Sequence, residues 1–245
     1  MNLLKTRLKK NLSKEEIATF KDAVRLFPTN RLVDEYNRKK IYKKCKNVIS
    51  IPVCHDDDLL IAVGAPVLLT HNLSVEMGLV NGSQGVVKDI LYLNTKNKIV
   101  DCILVDFPSY IGPKVITTSH GSGFPIFKIT VPHKIKIDGV YPNVCRFPLV
   151  LSYSLTTHKC QSLTLEKIVV KLGKQEIFSA LDYVGLSRVK SISDVLIMDK
   201  DISIDRFKQK GKSIIARIEE ENRLKSTNQV YKLFTQAVNK SARSV

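Results

Sequence analysis

No apolar run in this 245-residue chain approaches the roughly 18 residues needed to cross a bilayer. A secretory leader is not expected either: the start, MNLLKTRLKKNLSK, carries charge on both sides of a very short apolar patch. That start holds no acid as far as Lys14, which leaves a mitochondrial leader open, although it has only one Arg and one Ser. There is no C-x-x-C pair among the five cysteines, and Cys54-His55 and His158-x-Cys160 are not zinc spacings. Their odd number and wide separation point to a reducing, intracellular compartment, with thiols serving as small core residues. No internal repeat and no low-complexity tract is present. What remains, 44% hydrophobic and 25% charged, is the composition of an ordinary globular chain, long enough for one good core and a small second unit.

A phosphate-cradling loop is absent as well. Gly211-Lys212-Ser213 has the ending of one, but Arg206 stands where the loop needs its first glycine. The preceding DRFKQK is polar rather than a buried strand, so backbone N–H groups cannot wrap a phosphate there.

Positive charge is plentiful and confined to the two ends. Residues 1–47 hold 14 Lys and Arg against 5 Asp and Glu, residues 206–245 hold 10 against 3, and the middle balances at 15 against 15. Such asymmetry favours a polyanionic partner, most often nucleic acid; two lysine-rich solvated helices are the plainer alternative.

Ser13-Lys14-Glu15-Glu16 is a capping box, and a short helix is expected after it, to about Asp22. AVRLFP (23–28) reads as a buried strand stopped by Pro28, with Thr29 or Asn30 capping a helix whose Val33, Tyr36 and Ile41 share a face. A further strand is expected over Val67–Thr70. NGSQG (81–85) is a strong turn signal and leads into a two-strand hairpin, VVKDILYL and IVDCILVDF. Short β-branched runs broken by Gly and Pro continue to Pro142, so 78–145 reads as a small all-β insertion. The α/β period then returns with a strand at 149–155, a polar turn and short helix at 156–163, a strand at 166–172, a helix at 175–181 and a strand at 194–199. The tail after Arg206 includes a candidate helix, SIIARIEEENRLK.

Two stretches carry candidate chemistry. LSYSLTTHKCQSL (151–163) puts Thr157, His158, Lys159 and Gln161 after a buried strand. These groups can donate to phosphate oxygens, or they can form a capped, solvated helix start with Thr156 or Thr157 as the N-cap. DYVGLSRVKS (182–191) brings Arg188 towards the sheet, where its planar charged fork suits phosphate; a surface pair with Asp182 or Asp194 is the alternative.

Taken in order, these segments resemble the Pif-type, RecD-like superfamily 1 DNA helicases. FPLVLSYSLTTHKCQSLTL and DYVGLSRVKS resemble the last two motifs of that family, and RLFPTNRLVDEYN (25–37) the motif that opens its second motor domain. GAPVLLTHNLSVEMGLVNGSQGVV (64–87) and RFPL (146–149) resemble the entry to, and return from, an inserted SH3-like barrel. Ser162 and Gly185 depart from the usual Gly and Ala; Ser162 would narrow the backbone geometry, and Gly185 would loosen the helix before Arg188 by up to about 1 kcal/mol.

The resemblance implies an α/β fold: a RecA-like, mostly parallel sheet flanked by helices, over 1–77 and 146–205, with the small barrel at 78–145 and a basic helical tail at 206–245. It implies that Arg188 acts as an arginine finger, that Gln161 senses nucleotide, and that Lys159 supports either anion. Thr29, Asn30, Thr157 and His158 would hold single-stranded DNA. ATP and Mg2+ would bind only with an N-terminal RecA-like domain bearing the phosphate loop, which this sequence does not contain. For such a helicase in a eukaryote the nucleus is the expected setting.

Overall fold

The computed structural model describes residues 2–53, 57–94, 99–113, 116–133, 136, 139–161, 163–173, 181–202, 218–224 and 226–227. It opens with α1 (Asn2–Thr6), a 3-10 turn at Lys9–Asn11 and α2 (Lys14–Ala18). The capping box at α2 forms as expected: Ser13 accepts from the Glu16 N–H, and the Glu16 carboxylate accepts from the Ser13 N–H. Next come β1 (Val24–Phe27) and the long α3 (Asn30–Lys44), followed by an antiparallel pair, β2 (Ile49–Ile51) and β3 (Leu59–Ile61).

The chain then enters a six-stranded antiparallel sheet. Its members are β4 (Pro66–Leu69), β5 (Gln84–Asn94), β6 (Ile99–Asp106), β7 (Ile116–Thr118), β8 (Gly121–Ile126) and β11 (Leu149–Leu151), in the order β11-β4-β5-β6-β8-β7. β9 (Ile129–Pro132) and β10 (Asn143–Arg146) pair separately. Among the described residues these strands form open sheets and do not close into a barrel. β5 and β6 are the expected hairpin; its tip, 95–98, lies outside the described residues.

A four-stranded sheet, all parallel, has the order β12-β1-β13-β14, built from β12 (Ser154–Thr156), β1, β13 (Ile168–Val170) and β14 (Val195–Ile197). One face carries Leu26, Leu155, Ile168 and Ile197 into a core with Leu8, Cys160 and Leu165. The other carries Ser154 against α3 and Val169 and Leu196 against Phe20. α4 (Leu181–Leu186) leads towards β14. Most of the helix expected at 175–181 lies outside the described residues, as does 213–217 of the candidate tail helix; 218–224 is helical.

The N-terminal segment is part of this fold. Leu8 is buried and bridges Ile197 in parallel, and the Arg7 carbonyl accepts from the Ile197 N–H at 2.9 Å. The Arg7 guanidinium donates to the carbonyls of Val195 (2.9 Å) and Ser193 (2.8 Å). Residues 7–8 thus cover the β14 edge, which would otherwise present unpaired backbone groups.

Two expected strands divide differently from the sequence reading. The strand at 67–70 belongs to the antiparallel sheet, and the run 149–155 is two strands in two sheets. β11 pairs with β4, and after Ser152 and Tyr153 the chain crosses into β12 beside β1. A continuous apolar run carries no mark of such a crossing. The mark lies on α3, where Asn37 is buried. Its amide nitrogen donates to the carbonyls of Leu151 (3.1 Å) and Ser154 (3.2 Å), and its oxygen accepts from the N–H (2.8 Å) and hydroxyl (3.0 Å) of Ser154. Replacing Asn37 with Ala removes this partner from the Leu151 and Ser154 carbonyls and from the Ser154 N–H, while the Ser154 hydroxyl keeps the Val33 carbonyl. Asn37→Ala is expected to lower unfolding stability by about 2–4 kcal/mol in a urea titration; a change within about 0.5 kcal/mol would mean that the crossing does not need this amide.

Candidate nucleic-acid groove and the neighbouring arginine

The carboxyl ends of β1 and β12 lie side by side, and each delivers a polar turn. In open α/β sheets this is where ligands bind. β1 ends at Phe27, and Pro28 stops it. Thr29 occupies the N-cap position of α3 in an extended conformation, without a side-chain capping bond. Beyond β12, residues 157–161 form a hydrogen-bonded turn rather than a helix. The Thr157 N–H donates to the Phe27 carbonyl (3.2 Å), so the second turn is tied to the end of the first strand. The Thr156 hydroxyl accepts from the Lys159 N–H at 3.3 Å and caps the turn. His158, Lys159 and Gln161 are exposed, while Thr157 and Cys160 are buried. Ser162 lies outside the described residues.

A groove of about 1390 Å³ runs between this edge and the antiparallel sheet. Of the expected site residues it gathers Asn30, His158, Lys159 and Gln161. Thr29, Thr157 and Arg188 are not on its walls. Thr70, His71, Asn81 and Gly82 of the antiparallel-sheet side also line it, as does Arg146. The sequence reading took NGSQG only as a turn and did not assign His71, Asn81 or Arg146 to a site; nothing local distinguishes them from ordinary loop residues. The turn is held in place. The Asn81 N–H donates to the Asn72 side chain at 2.7 Å, and Gly82, at φ 99°, takes the left-handed backbone that favours glycine, where a Cβ would also crowd Leu163 at 3.2 Å. Leu163 follows the 157–161 turn, so the two walls touch there. The lining carries Arg31, Arg38, Arg146 and Lys159 against Asp34, Glu35, Asp57 and Asp58. The groove is therefore balanced, and its basic members have to be used locally rather than as a field.

Arg188 stands beside the 157–161 turn without entering the groove. Its Nε donates to the Val184 carbonyl (2.8 Å) and its Nη2 to the Ser187 hydroxyl (2.8 Å), so the guanidinium caps its own helix rather than pairing with Asp182 or Asp194. The Arg188 carbonyl accepts from the Leu165 N–H at 2.8 Å. Gly185, read from the sequence as a loosening of the helix, is a packing site: a Cβ there would lie 3.0 Å from the Thr157 methyl and 3.6 Å from Leu26. Cys160, adjacent to Gln161, feels the Arg188 charge. Burial pushes its thiol up to about 11, with Arg188 pulling the other way. Arg188 and Gln161 are thus neighbours on one block of structure, with the amide turned to the groove and the guanidinium turned back on α4.

Residues 44–90 match the family model of the DNA helicase Pif1, 2B domain. The ATP-dependent DNA helicase PIF1 of Xenopus laevis is 29% identical over 167 residues, 67% of this chain and 23% of that protein. That of Danio rerio is 32% identical over 145 residues, 58% of this chain and 20% of that protein. Among solved structures, Pif1 helicase from Candida albicans aligns over 91% of this chain and 57% of its own, with a TM-score of 0.60 at 20% identity. In sequence and in fold the chain is similar to the Pif1-type helicases. Bacteroides Pif1 bound to single-stranded DNA likewise aligns over 93% of this chain and 54% of its own, with a TM-score of 0.59 at 19% identity. The fold is that of the Pif1 helicases, a parallel sheet with antiparallel sheets beside it. The matched part amounts to about a fifth of the length of the Xenopus and Danio proteins.

The raised Cys160 pKa has a measurable sign. Below about pH 9 the thiol is protonated both folded and unfolded. Above it the unfolded chain ionises first, so stability falls until the folded thiol also ionises near 11. Two units correspond to about 2–3 kcal/mol. Stability measured from pH 8 to 11 is expected to fall more steeply for the parent chain than for Cys160→Ala; parallel curves would contradict the burial of the thiol.

Proposed function

We propose that this chain supplies the second-motor-domain portion of a Pif1-type ATP-dependent DNA helicase and grips single-stranded DNA along the groove. The observation that carries the reading is the gathering of Asn30, His158, Lys159 and Gln161 on one wall at the carboxyl ends of β1 and β12. Donors at that position suit phosphate oxygens. His71 and Asn81 line the same groove and would confine the strand. Thr29 and Thr157 support the wall from behind, Thr157 through its contact with the Gly185 position.

Residues 1–245 do not fit a nucleotide by themselves. The sequence has no phosphate loop, and among the described residues no group of three or more His, Cys, Asp or Glu could hold a magnesium ion. ATP and Mg2+ would have to be held by a first RecA-like domain, on the same polypeptide or another. Arg188 is our candidate arginine finger towards that nucleotide, with Gln161 as the group that senses it. Arginine fingers in other phosphoryl-transfer enzymes speed the reaction about 10³–10⁵-fold. To act so, the Arg188 guanidinium would have to leave the Val184 carbonyl, a charged hydrogen bond of about 1.5–3 kcal/mol.

That tied-back guanidinium favours a second reading for the 245 residues alone: a nucleic-acid-binding module without a nucleotide role. The setting we propose for a eukaryotic source is nuclear, with the mitochondrion as the alternative.

Binding of a fluorescent single-stranded oligonucleotide, followed by anisotropy at several salt concentrations, tests the groove. His158→Ala with Lys159→Ala is expected to weaken binding by about tenfold or more and to flatten the log K against log salt slope by about 0.7, the share of one phosphate contact. An unchanged affinity and slope would remove the groove from the account. ATP turnover by the purified chain, with single-stranded DNA present, is expected to be nil; turnover abolished by Arg188→Ala would contradict the absence of a nucleotide cradle.

A further inference from the structure

The groove does not use most of the positive charge on α3. Val33, Asn37 and Ile41 form the buried side of that helix. On the opposite side Arg38, Lys39, Tyr42 and Lys43 are exposed, as is Lys46 just past the helix end. Helical spacing sets Arg38 one turn before Tyr42, with Lys39 and Lys43 alongside, and Lys46 follows just past the helix end.

Three features separate this face from a merely solvated one. Tyr42 is 57% exposed, a large aromatic set among cations. Tyr36, on the same helix, is by contrast occupied within the protein, with its ring 5.6 Å from Phe27 and 4.8 Å from the Arg25 guanidinium. The cations around Tyr42 carry no carboxylate among the described residues, whereas Lys44 is paired with Asp22. Arg38 also lines the groove, so the face adjoins it.

We propose that the outer face of α3 is a second docking surface for single-stranded nucleic acid. A base stacks on Tyr42 while phosphates follow Arg38, Lys39, Lys43 and Lys46. An exposed aromatic among cations is the arrangement that binds unpaired bases irrespective of sequence. From Arg38 to Lys43 the helical rise is about 8 Å, and with Lys46 beyond the helix end the face offers room for roughly two or three phosphates. The direction, outward from a strand already seated in the groove, rests on the groove reading; the surface itself does not.

The chain has no tryptophan, so Tyr42→Trp provides a single fluorescent reporter. The probes are an oligothymidylate of about six nucleotides, sufficient for the groove, and one of about sixteen. The longer strand is expected to quench Trp fluorescence and the shorter to leave it unchanged. Lys39→Gln, Lys43→Gln and Lys46→Gln together are expected to weaken binding of the longer strand and flatten its salt slope by about 2, three phosphate contacts at about 0.7 each. Short-strand affinity should stay the same. Lys9→Gln, Lys10→Gln and Lys14→Gln, equally exposed, serve as the charge-matched control. Absence of quenching by the longer strand, or a loss no larger than the control's, overturns the proposal. Failure of the short strand to bind, with quenching by the longer one intact, overturns the groove reading and leaves the α3 surface standing.

Discussion

The side-chain amide of Asn37 lies beneath the point where the chain leaves the antiparallel sheet and enters the parallel one, and it bonds both sides of the crossing. Its nitrogen holds the last carbonyl of β11 and the first of β12, while its oxygen holds the N–H and hydroxyl of Ser154. Ser154 in turn donates to the Val33 carbonyl at 3.2 Å, one turn earlier on α3. A carboxylate could accept but not donate here, and an apolar residue could do neither. Buried and fully used, the amide aligns three things at once: the helix that carries Asn30, the strand that delivers His158 and Lys159, and the sheet whose loops form the facing wall. The groove exists because these three are held in register.

A second set of contacts joins that groove to α4. Thr157 packs at the Gly185 position, the Leu165 N–H bonds the Arg188 carbonyl, and Cys160 sits within reach of the Arg188 charge. Thr157 is buried and its own N–H is held by Phe27, so it has little freedom to yield. Any displacement of the helix bearing Arg188 has to be taken up by the turn that carries His158, Lys159 and Gln161. Coupling between a nucleotide side and a nucleic-acid side would require such a link, and here it rests on short, packed contacts rather than on a long relay.

Local chemistry was legible in the sequence. The capping box at Ser13, the Pro28 stop, the β1–α3 unit and the β5–β6 hairpin all follow from residues within a few positions of one another. The motif order pointed to the Pif1-type helicases, as do the relatives the chain matches, although each motif alone was ambiguous. Long-range partners were not legible. Nothing within the run 149–155 says that it serves two sheets, because both halves are apolar and the instruction sits on Asn37, more than a hundred positions away. Thr157 read as a phosphate contact because hydroxyls bind phosphate; its burial depends on α4. Gly185 read as a weakness because glycine loosens helices, and only the approach of Thr157 reveals its use. His71 and Asn81 carry no mark until the fold brings them into one groove with His158.

The central claim is that a nucleic-acid strand lies between the 157–161 turn and the 70–82 loop. Photo-crosslinking tests this most directly, using single strands that carry a photoreactive base and peptide mapping of the adducts on the intact chain. The account predicts adducts on peptides from both walls, those containing His158–Gln161 and those containing His71–Gly82. Adducts confined to α4 and β14, on the side to which Arg188 is folded, with both walls unmodified, would contradict it.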